Sequence, residues 1–359
     1  MSTSAGLSQA FWAGRRVFVT GHTGFKGGWL MGLLKQLGAE PSGYALAPPS
    51  EPNLFAAADV VRLGSSTLGD IRDAARLNAA MAAAKPQIVL HLAAQALVRP
   101  ARNDPIETFS TNVVGTAHVL DAVRQTPGVR ACVVVTSDKV YDNVEWPWAY
   151  RETDRLGGKE PYGASKACTE IVVESYRASY FGVGGHPAAI GSARAGNVIG
   201  GGDWAEDRLV PDAIRAFSTG DTLMIRNPAS VRPWQHVLEP LSGYLRLAEA
   251  LASDAALPGP AAFNFGPASD DAVPVRVIAD KMTARWGAGA RWQHDTRFQP
   301  YEARLLEVDS AKARALLGWQ PRWRLAQALD RTVAWYRGFY AGDDMHALTL
   351  RQIEEYLHG

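Results

Sequence analysis

The residues best equipped for chemistry in this chain are Ser137, Asp138 and Lys139, in Thr136-Ser-Asp-Lys139, and Tyr162 and Lys166, in Tyr162-Gly-Ala-Ser-Lys166. A Tyr and a Lys four apart on a helix share one face. An ammonium beside a phenol favours the phenolate, and such a Tyr can take the proton from an alcohol while a hydride departs. Hydride transfer alone asks for no more. Asp138 and Lys139, of opposite character and side by side, add an acid and a base for a second proton transfer. The bland alternatives are a solvated ion pair in a surface turn and an ordinary exposed helix face. Against them, Asp138 and Lys139 follow an apolar strand at its carboxyl end, where ligands sit in open α/β sheets.

Bringing these groups together takes an alternation of strands and helices. Arg16-Val-Phe-Val-Thr20 reads as a short strand, and Trp29, Leu30, Leu33, Leu34 and Leu37 then repeat at helical spacing up to Gly38. Ser42-Gly-Tyr-Ala-Leu46 is a weaker strand, and Asp70 suits the N-cap of a helix opening at Asp70-Ile-Arg-Asp73. Strands are predicted over 88–93, 131–136 and 188–195, with helices over 111–125 and 162–180. The segment Ala131-Cys-Val-Val-Val-Thr136 has almost no polar residue, as expected of a strand buried on both faces of a parallel sheet. This pattern predicts a Rossmann-type, doubly wound parallel α/β sheet over residues 1–196. Residues 197–359 are irregular and rich in Pro, Trp and Arg, with helical patches near 210–217, 237–252 and 325–340 and strands near 222–226 and 262–266. They read as a smaller, mixed α/β lobe over the carboxyl ends of the sheet, with some segments returning to the first domain. About the first ten residues read as disordered.

Between the first strand and helix lies Thr20-Gly21-His-Thr-Gly24-Phe-Lys-Gly27. Glycines in a strand–turn–helix let the backbone approach a pyrophosphate, whose charge meets the helix amides. The plain alternative is a turn needed only for helix–sheet packing. The second strand ends Tyr44-Ala-Leu-Ala-Pro48, with no acid for a ribose and no Arg or Lys for a 2′-phosphate, which favours NAD over NADP.

Composition excludes several classes. The chain has 359 residues, 47% hydrophobic and 20% charged, with a net charge of +1, which gives no support to a nucleic-acid partner. No apolar run approaches membrane-spanning length and no secretory signal is evident. The two cysteines, Cys132 on a strand and Cys168 on a helix, read as small core residues of a reduced, cytoplasmic protein. His91 and His236 lack clustered ligands, so no metal is expected.

The glycine turn, His91-Leu-Ala-Ala-Gln95, Asn112-Val-Val-Gly-Thr116, the Tyr162–Lys166 pair and Arg194-Ala-Gly-Asn197 stand in the order found in extended short-chain dehydrogenase/reductases of the nucleotide-sugar branch. The chain resembles that family over essentially its whole length. Within the branch, Thr136-Ser-Asp-Lys-Val-Tyr-Asp-Asn143, Arg194-Ala-Gly-Asn-Val-Ile-Gly-Gly-Gly-Asp-Trp204, Arg232-Pro-Trp-Gln-His236 and His22-Thr-Gly-Phe-Lys-Gly27 closely resemble the CDP-glucose 4,6-dehydratases. The resemblance implies oxidation of a nucleotide-linked hexose at carbon 4, loss of water across carbons 5 and 6, and reduction at carbon 6. Tyr162, Lys166 and Ser137 would serve the oxidation, Asp138 would be the acid and Lys139 the base. Relatives acting on dTDP-glucose or GDP-mannose carry Glu in place of Lys139, so two roles stay open for it: a neutral base, or a charged stabiliser of the enolate. Some UDP-N-acetylglucosamine dehydratases share the Asp-Lys pair, so UDP- and dTDP-linked substrates remain alternatives. A 4-epimerase would give Asp138 and Lys139 no role, and a non-catalytic NAD-binding scaffold would need none of the five residues.

The resemblance also implies NAD contacts at Gly21, Thr23, Gly24, Phe25, Lys26, Gly27, Asp70, Ile71, Leu92, Ala93, Ala94, Thr111, Tyr162 and Lys166. It implies substrate contacts at Gln95, Asn197, Arg208, Arg232 and Tyr301, the two arginines facing the diphosphate. A homodimer or dimer of dimers would pair the helices bearing Val113, Val114, Ala117, Leu120, Ile171 and Val172. Products of this family supply deoxysugars for surface polysaccharides.

Overall fold

The computed structural model describes residues 6–182, 184–253, 257, 261–287, 289–297 and 303–359. Its centre is a seven-stranded parallel sheet made of β1 (Arg16–Thr20), β2 (Glu40–Ala45), β3 (Ser65–Leu68), β4 (Ile88–His91), β5 (Ala131–Val135), β6 (Ala189–Ala195) and β7 (Ala262–Phe265). The order across the sheet is β3-β2-β1-β4-β5-β6-β7. The chain therefore changes direction between β1 and β4, the place where open α/β sheets leave a crevice at their carboxyl ends. β4 and β5 are buried at every position, which is why their sequence shows no alternation.

Helices cover both faces. They include α1 (Phe25–Gln36), α2 (Ala74–Ala84), α3 (Gly115–Gln125) and α4 (Pro161–Tyr180), and from the second half α5 (Leu238–Ala252), α6 (Leu325–Ala341) and α7 (Met345–His358). Val19, Leu90, Val133, Leu33, Leu241 and Trp335 belong to one apolar cluster, and Phe18, Val89, Val134, Leu120 and Val123 to a second. Leu120, expected on a pairing surface, is thus core, while Val114 and Ile171 stay exposed.

The elements differ from the sequence reading where tertiary contacts overrule local signals. β3 is an unpredicted, largely exposed strand of Ser and Thr that exists through its pairing with β2. β7 joins the main sheet beside β6, registering Ala262 with Ser192 and Phe265 with Ala195. The helix that was to open at Asp70 begins at Ala74 and is capped by Asp73, whose carboxylate accepts the Arg76 amide at 3.0 Å. Asp70 instead binds the Arg72 guanidinium at 2.6 Å. Ahead of α3, Pro105–Phe109 and a π-helical turn over Ser110–Val114 lengthen the predicted helix at its start. The expected disorder of the first ten residues does not extend to residues 6–10. Ser8 caps a helical turn, Gln9–Trp12, and the fully buried Trp12 donates its indole N–H to Glu249 at 2.7 Å. Residues 1–5 lie outside the described residues.

Among the described residues, no helix is long and apolar enough to cross a membrane, and no group of three or more His, Cys, Asp or Glu side chains is placed to hold a metal.

Candidate active site

β5 ends at Val135, and the chain passes through Thr136 and Ser137 into a single 3-10 turn, Asp138–Val140. Ser137 caps this turn. Its Oγ accepts the Lys139 amide at 3.2 Å and donates to Asp138 Oδ1 at 3.0 Å. α4 starts where the Glu160 carboxylate accepts the amides of Tyr162 and Gly163, each at 2.8 Å. That cap sets the first turn and brings the Tyr162 phenol to the Ser137 hydroxyl. One turn later, Lys166 Nζ donates to the Val135 carbonyl at 3.1 Å and ties helix to strand end. Ser137, Asp138, Tyr162 and Lys166 therefore converge at the carboxyl edge of β5, with Lys139 half-buried beside them.

Asp138 is 4% exposed, and its Oδ2 is buried without a hydrogen-bond partner. Gly196 faces it: a Cβ there would come within 2.5 Å of Oδ2. Burial pushes this carboxyl up from the ordinary Asp range, against the pull of Lys139, Ser137, Arg232 and Lys26. A carboxyl so placed holds its proton to higher pH than an ordinary Asp and can deliver it.

The spacing of Tyr162 and Lys166 led us to expect a phenol lowered by its neighbouring ammonium. In the structure burial dominates instead. It pushes Tyr162 up to about 12, while the Ser137 hydrogen bond and Arg208 pull it back. Burial likewise brings Lys166 down to about 8, with the Glu170 charge opposing. Spacing places two side chains on one face but does not say which neighbour each will meet, and the Lys166 ammonium meets Val135.

The glycine turn fits a dinucleotide pyrophosphate. Gly21 has φ +82°, and a Cβ on it would lie 2.7 Å from the Ala93 nitrogen, so the turn rests directly on the backbone after β4. Thr20 Oγ1 fixes that contact by accepting the amides of Leu92 and Ala93 at 3.1 and 3.2 Å. Gly24 stands at the N-cap of the twelve-residue α1 and offers no side chain to the helix amides, leaving them for an anion. Phe25 and Gly27 lie in the first turn of that helix. Thr23 donates to the Leu46 carbonyl at 2.8 Å, and His22 pairs with Ser66 at 2.7 Å, so the turn is held to β2 and β3. Asp70, held by Arg72, and Ile71, 4% exposed, follow β3, while Ala94 and Thr111 are half-buried around the loop after β4. Lys26 reaches toward the groups at the end of β5. Its ammonium lies 3.5 Å from the Tyr244 hydroxyl, and it feels Asp138, Lys166, Arg208 and Asp203. Burial first, and then Arg208 and Lys166, lower it to about 8.

The residues expected at the substrate are placed unequally. Arg208 pairs with the buried Asp203 at 2.8 Å and faces Tyr162. Arg232 donates to the carbonyls of Val231 and Ala303 at 2.9 and 2.6 Å and feels Asp138. Asn197 is half-buried next to Gly196. The Gln95 side chain turns onto its own loop, donating to Leu97 O and Thr108 Oγ1 at 3.0 Å each and accepting the Leu97 amide. Tyr301 lies outside the described residues. Sequence reasoning missed Glu170, Asp203 and Tyr244. Asp203 was within reach, standing in the Gly-Gly-Gly-Asp203 stretch beside Arg208, and Glu170 stands one helical turn past Lys166; nothing local marked Tyr244.

A family model described as GDP-mannose 4,6 dehydratase matches residues 18–332. The chain is similar to CDP-glucose 4,6-dehydratase of Salmonella typhimurium, with 48% identity over 357 residues, 98% of either chain. It is 30% identical to dTDP-glucose 4,6-dehydratase of Streptomyces antibioticus over 287 residues, 75% of either chain. Among solved structures it resembles MoeE5 in complex with UDP-glucuronic acid and NAD, at a TM-score of 0.74 and 26% identity over 89% of this chain and 98% of that one. The seven-stranded parallel sheet and the Ser-Asp-Lys turn at the end of β5 sit inside a match that runs nearly end to end, and the chain belongs to the GDP-mannose 4,6 dehydratase family of extended short-chain dehydrogenase/reductases.

Proposed function

We propose that this protein converts CDP-D-glucose to CDP-4-keto-6-deoxy-D-glucose with loss of water, using NAD. The observation that carries the chemistry is Asp138, a buried carboxyl with one unpartnered oxygen and a raised proton affinity, beside Tyr162 and Ser137. Simple oxidation or epimerisation gives such a group no task. The 48% identity to the Salmonella enzyme over nearly the whole chain supports the cytidine nucleotide.

The turn of Gly21, Gly24 and Gly27 and the backbone of Leu92 and Ala93 would hold NAD, which would supply the hydride acceptor for carbon 4 and the hydride donor for carbon 6. Tyr162, bridged by Ser137, accepts the proton of the carbon-4 hydroxyl. Arg208 places positive charge beside that phenol. The ketone at carbon 4 acidifies the hydrogen at carbon 5, which Lys139 removes or whose enolate its charge supports. Asp138 protonates the hydroxyl leaving carbon 6. Arg208 and Arg232 hold the diphosphate, and Gln95 and Asn197 border the sugar. The substrate lobe is drawn from residues 197–359, with β7 and α5 returned to the Rossmann domain. Ile106, Val114 and Ile171, exposed at 76%, 49% and 59%, supply an apolar surface for pairing two copies as a homodimer. Two free cysteines suit a reducing, cytoplasmic setting.

The test is a panel of CDP-, dTDP-, GDP- and UDP-hexoses incubated separately with NAD. Product lighter by one water from CDP-glucose alone is expected. Turnover confined to a UDP-linked sugar would overturn the nucleotide, and an epimer of unchanged mass would overturn the chemistry.

A further inference from the structure

Beneath the reacting groups lies a buried ion pair that the mechanism does not use. Glu170 and Arg194 are 5% and 3% exposed and meet at 2.8 Å. Glu170 Oε1 accepts the Thr136 hydroxyl at 2.5 Å, and Oε2 accepts the Ser192 hydroxyl at 2.7 Å. On the far side, Arg194 Nη1 donates to the Tyr141 hydroxyl at 3.0 Å, its guanidinium stands 5.1 Å over the Tyr141 ring, and Tyr141 donates onward to Asn264 of β7 at 2.7 Å. Thr136 is the residue before Ser137, and Tyr141 is the residue after the turn Asp138–Val140. The pair thus grips both ends of the segment that carries Ser137, Asp138 and Lys139. Glu170 is also one helical turn from Lys166, on the same face of α4.

We infer that Glu170, locked by Arg194, is a positioning residue for the proton-transfer site: it sets the turn that bears Ser137 and Asp138 and holds the charge of Lys166. The inference rests on the function proposed above. A buried ion pair is a weak source of stability, since apolar residues of similar volume often replace one without loss. Its placement, gripping the reacting turn from below, is therefore better explained by geometry than by stability. The charged and titratable groups acting on Lys166 are Glu170 on its own helix, Lys26 from α1 and His91 from β4. Of these, Glu170 is the one that favours the ammonium.

The experiment compares wild type, Glu170→Gln and the double variant Glu170→Met/Arg194→Met, with CDP-glucose and NAD, across pH. The double variant leaves no lone buried charge and guards against failure of the single variant to fold. We expect kcat to fall about 10- to 100-fold with KM nearly unchanged, because the reacting groups are displaced while the diphosphate contacts remain. We expect the alkaline limb of kcat to move to lower pH by about one unit, because Lys166 loses the charge that favours its ammonium. Variants that melt earlier but keep the wild-type kcat and alkaline limb while folded would overturn the inference and leave the proposed function standing. Wild type inactive on every nucleotide hexose would overturn the proposed function, and this inference with it.

Discussion

Asp138 and Glu170 flank the end of β5 and are buried almost equally, at 4% and 5% exposure, yet they are opposite kinds of group. Burial raises Asp138, and the cations around it do not make up the loss; one of its oxygens has no partner. Burial would raise Glu170 as well, but Arg194, Thr136 and Ser192 outweigh it and hold the carboxyl below the ordinary Glu range. Burial therefore does not decide whether a carboxyl is an acid or a fixed anion. A cation held in direct contact does. The unsatisfied group is the one available for proton transfer, and the satisfied one keeps it in place.

Four substitutions sharpen or break this contrast, from the largest effect to the smallest. Glu170→Gln strands a buried guanidinium, so chemical denaturation at neutral pH should show a loss of about 3–5 kcal/mol. Because Glu170 is lowered in the fold, its contribution is present above the unfolded Glu value and is lost as pH falls; the gap between variant and wild type should narrow in acid. A loss below about 1 kcal/mol would remove Glu170 from the class of fixed anions.

Glu239 is a third buried carboxyl and a test of what neutral donors can do. It accepts the amides of Trp323 and Arg322 at 2.8 and 2.9 Å and the Tyr356 hydroxyl at 2.9 Å, yet burial pushes it up to about 7. A raised group stabilises below its unfolded value and loses that contribution as pH climbs to its folded value. Wild type should therefore shed roughly 3 kcal/mol between the ordinary Glu range and about pH 7, a slope absent in Glu239→Gln. Parallel denaturation profiles for the two proteins would contradict this.

At Gly196, alanine would press a methyl against Asp138 Oδ2. Turnover should fall about 100-fold through misplacement of the acid, with NADH still forming when NAD and CDP-glucose are mixed. Unchanged turnover would mean that the carboxyl does not need that place. Asp138→Asn, which breaks no ion pair, should stay within about 1 kcal/mol of wild-type stability. A loss as large as that of Glu170→Gln would erase the contrast.

Much of the fold was legible because periodicity and apolar runs reflect burial directly. The nearly all-apolar 131–136 segment announced a central strand, and Trp29 to Leu37 announced α1. β3 was not legible, because Ser65-Ser-Thr-Leu68 carries no apolar pattern and is a strand only through its neighbour. β7 was visible as a strand but not as a member of the main sheet, since that depends on a partner seventy residues upstream, Ser192 for Ala262. At the site, the five residues proposed to react were picked out by type and spacing, and the structure gathers them at the end of β5. Their electrostatics could not. The direction of the Lys166 ammonium, the turn of Lys26 toward Tyr244 and the grip of Glu170 on Thr136 are all set by contacts between distant segments.

The central claim is that Asp138 supplies the proton for elimination and has no part in oxidation. The measurement that reaches it most directly is a single turnover of Asp138→Asn with CDP-glucose and NAD, following NADH absorbance and product mass together. NADH that forms and persists, with the sugar nucleotide never losing water, is the predicted result. Formation of keto-deoxy sugar at the wild-type rate, or no NADH at all, would contradict it.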